Sequence, residues 1–278
     1  MLKQIVDKRN YFILILIILL IVWLIFNGLT PKKEYIQTFN YFNKNITLKI
    51  YNSHKPKTTF QKIEQIFQKY ASPSVSTLNE LIKYGQKIYQ ATDGLIDISD
   101  QSLVQSLQKG QEINFQSTID TLNPQSPELN LDDIISSYAV NEVTKYLKGQ
   151  SYILNIDGDI VAGDHYHKEK YAISLSRNSA LIDIIYLQNK AVVTRGQTDE
   201  FQSYKVNPLT SQQSPYKHMV VVIAKDINTA NFLAQALYLQ SQEAGQKFLK
   251  NYQAEAIWIS ENGQQTMTEG FKKYLTKP

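Results

Sequence analysis

Residues Glu128–Gly163 read ELNLDDIISSYAVNEVTKYLKGQSYILNIDGDIVAG, and this stretch decides the fold class. Apolar side chains at Ile135, Tyr138, Ala139, Val143, Tyr146 and Leu147 recur at helical spacing, which predicts a helix with one buried face. Asp132 and Asp133 stand where a helix N-terminus favours negative charge; Lys145 and Lys148 stand at the other end, and Gly149 suits a left-handed cap. Tyr152–Ile156 then reads as a buried strand, Asp157-Gly158-Asp159 as a tight turn and Ile160–Ala162 as a second strand. A helix followed by a strand that ends in Asp-Gly-Asp suits a phosphate or metal site. It suits an ordinary crossover equally well.

Towards the N-terminus the composition changes. Tyr11 to Phe26 is an uninterrupted apolar run, and with Gly28 and Leu29 it approaches the length of a bilayer crossing. Lys3, Lys8 and Arg9 precede it, which places the N-terminus in the cytoplasm and the bulk of the chain outside the membrane. A cleaved signal peptide is the competing reading; its apolar core is usually shorter, and no small-x-small site follows Phe26. The 278 residues contain no cysteine, which removes lipoprotein acylation, disulfides, thiolate nucleophiles and Cys-type metal centres together. The formal charge of +4 sits in residues 1–33, which hold five Lys/Arg and one Asp; the remaining 24 basic and 24 acidic residues cancel. The body of the protein therefore carries no nucleic-acid signature.

The expected organisation is a cytoplasmic N-terminus (1–10), a transmembrane anchor (11–29), a tether (30–45) and one folded domain (46–278). Ile46–Ile50 alternates and reads as the first strand of that domain. Helices are expected over Thr58–Tyr70 and Val75–Gln90, separated by Pro73-Ser74, and a polar surface loop with room for one helical turn over Gln101–Pro127. Strands are expected at Tyr171–Leu175, Leu181–Leu187, Ala191–Thr194 and Met219–Ala224. Helices at Ile227–Leu239 and Glu243–Tyr252 follow, then a closing hairpin whose turn is Asn262-Gly263. Strands and helices mix without strict alternation, which favours an α+β architecture. His165-Tyr166-His167 reads as a solvated hairpin, or as a metal pair completed by Asp164 or Asp159.

Five segments together carry a resemblance. LNLDDIISSYAVNEV followed by LNIDGDI resembles LDLGGIAKGYAVD…NLGGDI; Ala91–Asp97 looks like T-x-G-x-F-D; Val193-Thr-Arg-Gly196 looks like A-T-S-G. Val206–Thr210 looks like I-D-P-x-T, and Ala230–Leu237 like A-D-A-L-A-T-A-L, all in the same order. These are the motifs of the ApbE family, the FAD:protein FMN transferases, and the resemblance runs from about residue 46 to the C-terminus. It implies a single T-fold-related α+β domain that splits the FAD pyrophosphate and moves FMN onto a Thr or Ser of an acceptor protein. A divalent cation, Mg2+, would neutralise the phosphates.

By the same resemblance, Thr92, Ile96, Asp97, Ile135, Asn141, Gly158 and Asp159 fall at flavin-nucleotide positions, and Asn207 and Thr210 at catalytic ones. The Asp and Thr that hold the metal in A-D-A-L-A-T are Asn231 and Gln235 here. Neither brings a negative charge. At an effective dielectric near 20, one carboxylate at about 2.5 Å from a divalent ion is worth on the order of 10 kcal/mol of Coulomb attraction, before desolvation offsets most of it. The Asp of I-D-P is Asn207, the nearby His is Tyr204, and the Lys-Gly pair of G-I-A-K-G is Ser136-Ser137. Asp132 and Asp133 replace two glycines. They read as helix caps, or as an acidic pair that recruits the cation Asn231 no longer holds. Two functions follow as expectations: a membrane-anchored flavin transferase with weakened or lost activity, or an inactive ectodomain that binds flavin or a partner.

Overall fold

The structure is a computed structural model that describes residues 13, 15–22, 33–132, 134–165, 169–177, 180–196, 206–216 and 218–276. The chain divides into two compact units, residues 1–34 and 35–278. In the first, residues 15–22 are helical and every side chain from Ile15 to Val22 is exposed. Among the described residues no helix is long and apolar enough to cross a membrane, and much of the expected anchor (residues 11, 12, 14 and 23–29) lies outside them.

The second unit is built on one eight-stranded sheet. Its strands are β1 (Glu34–Tyr41), β2 (Lys44–Tyr51), β3 (Ser151–Ile156), β4 (Asp159–Ala162), β7 (Lys190–Arg195), β10 (His218–Ala224), β11 (Glu255–Ser260) and β12 (Gln265–Met267), in that spatial order. Pairing is antiparallel from β2 through to β12. Residues 34–41, expected as part of a tether, instead form the edge strand. Phe39 is 4% exposed and packs edge-on against Phe60 and Phe67 at 6.4 and 5.4 Å, so its apolar side chain recruits the segment into the fold.

Both faces of the sheet are buried, so alternate residues of one strand feed two cores. On β10, Val220, Val222 and Ala224 join the helix-side core, while Met219, Val221 and Ile223 join the opposite one. The helix-side core receives α1 (Pro56–Ala71), α2 (Val75–Ala91), α4 (Ile135–Tyr146), α5 (Ile227–Tyr238) and α6 (Gln242–Leu249). The other face is covered by the hairpin β5 (Tyr171–Arg177) and β6 (Ala180–Leu187) and by the C-terminal turn and helix α7 (Lys272–Leu275) around Phe271. This is the α+β arrangement expected from strands and helices that do not strictly alternate.

A third cluster positions the site. Ile82, Ile88, Leu95, Ile96, Ile98, Ile119, Ile134, Ala236 and Leu239 join α2 to the segment after it and to α5. Gly85 makes that contact close, since a Cβ there would meet the Ile98 side chain at 2.3 Å. Within residues 101–127, expected as a loop with at most one helical turn, Gln101–Gln108 forms the eight-residue helix α3, because Leu103 finds a fully buried position. A short strand pair, β8 (Val206–Asn207) with β9 (Gln212–Gln213), completes the elements near the site.

Candidate functional site

The polar side chains converge where β4, β7, α4 and α5 meet. Helix α5 starts cleanly because Asp226 accepts the Thr229 N–H at 2.8 Å. One turn in, Asn231 and Gln235 point into the protein, 3% and 2% exposed. Strand β7 ends at Arg195-Gly196, and the left-handed φ of +74° lets the chain leave there. A side chain on Gly196 would strike the His218 carbonyl oxygen at 2.4 Å.

Arg195 ties these elements together. Its Nη1 donates to both Asp159 carboxylate oxygens at 3.1 Å and to the Thr194 carbonyl at 2.6 Å. Its Nη2 donates to Asn231 Oδ1. The same Asn231 oxygen accepts from Gln235 Nε2 at 3.2 Å, while Asn231 Nδ2 donates to Ser137 Oγ at 3.2 Å. Ser137 in turn donates to the Ile134 carbonyl at 3.0 Å. Asp159 also accepts the Thr194 N–H at 3.0 Å, which fixes β4 against β7. From the sheet side, Lys44 Nζ on β2 donates to Ser136 Oγ at 3.0 Å.

Two small cavities flank the Asn231–Gln235 pair. One, of about 10 Å³, is lined by Lys44, Ser136, Ser137, Asp159 and Asn231 among others. The other, of about 20 Å³, is lined by Ile96, Asp97, Asp100, Asn130, Val206 and Gln235 among others. Each has the size of a water molecule. Asp97 lies at the second, 3% exposed; its Oδ1 accepts from Ser99 N and Oγ at 2.8 and 2.7 Å. Its Oδ2 is buried with no hydrogen-bond partner among the described residues. Asp100 accepts from Asn130 Nδ2 at 2.8 Å. Beside Gly196, burial pulls the His218 imidazole below its ordinary pKa, against the smaller upward pull of a backbone hydrogen bond with Leu237.

The expected site residues separate into three places. Asp159, Asn231 and Gln235 belong to the polar network, and Ile96 and Asp97 adjoin Gln235 across the second cavity. Asn207 and Thr210 lie on the β8–β9 turn, where Asn207 Oδ1 accepts the Leu209 N–H at 3.0 Å and its carbonyl accepts the Thr210 N–H at 3.2 Å. Thr210 is exposed. The remainder hold local structure. Thr92 Oγ1 donates to the Ile88 carbonyl at 2.8 Å and accepts the Ile96 N–H at 3.2 Å, closing α2. Gly158 N–H caps a turn on Asn155 Oδ1 at 2.8 Å, Ile135 packs against the helix-side core, and the Asn141 carbonyl accepts from Thr144 Oγ1 at 2.8 Å.

Asp132 is not the helix cap its position suggested. The N-cap of α4 is Ile134, with no side-chain cap, and Asp132 is exposed in the preceding turn with its N–H on Asn130 Oδ1 at 3.1 Å. Asp133, Tyr204, Tyr166 and His167 lie outside the described residues, and His165 packs edge-on against Tyr171 at 4.6 Å between ring centres. Arg195 and Lys44 were missed as site residues. Arg195 was legible only as the odd residue of V-T-R-G, and Lys44 carried no local signal because Ser136 is 92 positions away.

This fold is shared with solved flavin transferases. The flavin transferase ApbE of Vibrio cholerae superposes with a TM-score of 0.71 at 18% identity, covering 88% of this chain and all of that one. The apo flavinyl transferase ApbE of Pseudomonas stutzeri gives 0.69 at 20% identity over 89% and 99%, and the apbe protein of Thermotoga maritima gives 0.71 at 18% over 88% and 100%. The ApbE family model matches residues 33–258, and the chain belongs to the ApbE family. No curated protein sequence matches it.

The network does not fit the Mg2+ that the family resemblance implies. An amide oxygen has two lone pairs, and those of Asn231 Oδ1 already accept from Arg195 and Gln235. One of those two donors is itself a cation. Among the described residues no group of three or more His, Cys, Asp or Glu stands ready for a metal.

Proposed function

We propose that this chain is a membrane-anchored, extracytoplasmic ApbE-family protein that takes FAD and whose transfer of FMN to a Thr or Ser of an acceptor protein is weakened or lost. The observation that carries the reading is the Arg195–Asn231–Gln235 network, which joins family architecture to a metal position without a carboxylate. The rest of the chemistry is also thin. An amide at Asn207 cannot take a proton from an attacking hydroxyl, and its oxygen already holds the turn. Asp159, the one carboxylate in the network, is committed to Arg195. The anchor is supported by the helix at residues 15–22, whose apolar side chains face outward all round, as they would in lipid.

Incubating the protein with FAD, Mg2+ and an acceptor carrying a flavinylation motif, beside an active flavin transferase, tests this. Covalent flavin fluorescence on the acceptor is expected to appear at least about a hundredfold more slowly than in the control, the loss expected when several kcal/mol of metal stabilisation is withdrawn. FAD is still expected to bind, read as quenching of its fluorescence. Turnover at the control's rate would end the reading of weakened activity. A second reading, an ectodomain that takes flavin or a partner with no transfer at all, is favoured by the same network; an acceptor that stays dark after prolonged incubation decides for it.

A further inference from the structure

We infer that Arg195 is the residue that closes this site to a divalent cation. Its guanidinium is an internal cross-link between β4, β7 and α5, and it would exclude the ion even with a carboxylate restored at position 231. The site is the one on which the proposed function rests, but none of the tests uses flavin.

Three observations carry the inference. First, the network oxygens that could face a cation are already engaged. Asp159 Oδ1 accepts from Arg195 Nη1 and from the Thr194 N–H, and Asp159 Oδ2 accepts from the same Nη1. Asn231 Oδ1 accepts from Arg195 Nη2 and from Gln235 Nε2. A divalent ion sits about 2.0–2.6 Å from its oxygen ligands, so one seated on any of these three would stand beside a like charge and displace a hydrogen bond. Second, the guanidinium is held in place. Nη1 also donates to the Thr194 carbonyl at 2.6 Å, and Gly196, the next residue, lies so near the His218 carbonyl that a Cβ would be 2.4 Å from its oxygen. The side chains of Arg195 and Asp159 are 18% and 13% exposed, so withdrawing the arginine would leave a carboxylate largely out of water without the partner it has. Third, two departures from the family pattern meet. Val193–Gly196 resembles A-T-S-G, so Arg195 stands at a serine's place, and Asn231, which it bonds, stands at an aspartate's. A carboxylate at 231 would make a second charge-assisted pair with Nη2. Restoring it would tighten the cross-link and leave the site closed.

The test uses the full chain and Mn2+, titrated by electron paramagnetic resonance, with circular dichroism showing that each variant is folded. The unaltered chain should show no stoichiometric Mn2+ binding, and Asn231→Asp with Gln235→Thr should not create it. Adding Arg195→Ser to that pair should give one site, about a hundredfold or more tighter than the double variant, because a like charge has left the ion's side. Where the serine variant does not fold, Arg195→Gln in the same background removes the charge, keeps an N–H donor for Asp159 and is read in the same way. The unaltered chain gives an independent measure: its melting temperature should be the same in EDTA and in excess Mg2+, since an ion taken only by the folded state would raise it. Stoichiometric Mn2+ binding by the unaltered chain or a melting temperature raised by Mg2+ would overturn the inference. So would a double variant that binds as tightly as the triple one, or a folded triple variant that binds no Mn2+. Failure of FAD to bind would remove the function proposed above and leave the role of Arg195 standing.

Discussion

Arg195 shows how much one residue type decides. A lysine at the end of β7 would offer a single ammonium point, whereas the planar guanidinium reaches Asp159 with one nitrogen and Asn231 with the other, so a strand end becomes a clamp between β4 and α5. His218, at the start of the neighbouring strand, carries the clearest pH signature. It stacks on Tyr216 and packs edge-on to Tyr238, and its Nε2 is buried without a hydrogen-bond partner among the described residues. Burial favours the neutral ring, so the folded state holds its proton less tightly than the unfolded chain. The stability this confers is complete above the ordinary histidine value of 6.5 and is lost as pH falls below it. Urea unfolding at neutral and at mildly acidic pH should therefore show a larger loss for the native chain than for His218→Phe. Equal losses would mean that His218 titrates as freely folded as unfolded.

Among the elements, α2 and the segment after it act as the lever that sets Asp97. Ser74 caps α2 by accepting the Thr77 N–H at 3.2 Å, and the third core cluster then presses residues 95–98 against α5. The closest approach is Gly85 to Ile98, a side chain 2% exposed that has nowhere to retreat. Gly85→Ala should cost about 1–3 kcal/mol, the usual range for overpacking. Combining it with Ile98→Ala should recover much of that loss even though Ile98→Ala alone destabilises. Chemical denaturation of the three variants measures the coupling, and simple additivity would show that the two side chains do not compete for the same space.

For the molecule as a whole, the question is where the folded unit begins. Two fragments separate the alternatives. One starting at residue 34 retains β1; one starting at residue 46 removes it, strips Phe39 from Phe60 and Phe67, and leaves β2 as an open edge. The longer fragment is expected to unfold in one cooperative thermal transition, and the shorter to melt lower or aggregate. Light scattering and calorimetry read the difference, and equal melting would return residues 34–41 to the role of tether. Both fragments lack the basic N-terminal segment, so the longer one is close to neutral overall and should be least soluble near pH 7.

Local patterning made most of the architecture legible. Helical spacing from Ile135 to Leu147, the alternation at Ile46–Ile50 and the Asn262-Gly263 turn appear as read, because each depends on neighbours in sequence. The family was legible for the same reason, since its motifs are short and ordered. Elements held by distant partners were not: β1 is a strand because β2 lies beside it, and α3 is a helix because Leu103 is buried. The site divides along the same line. The loss of charge at Asn231, and the amide in place of a hydroxyl at Gln235, could be read directly from the chain. That a guanidinium from β7 bonds Asn231 and an ammonium from β2 bonds Ser136 was decided by folding, which brought residues 44, 136, 159, 195 and 231 to one place. Electrostatics acts through distance in space, and a linear sequence does not carry that distance.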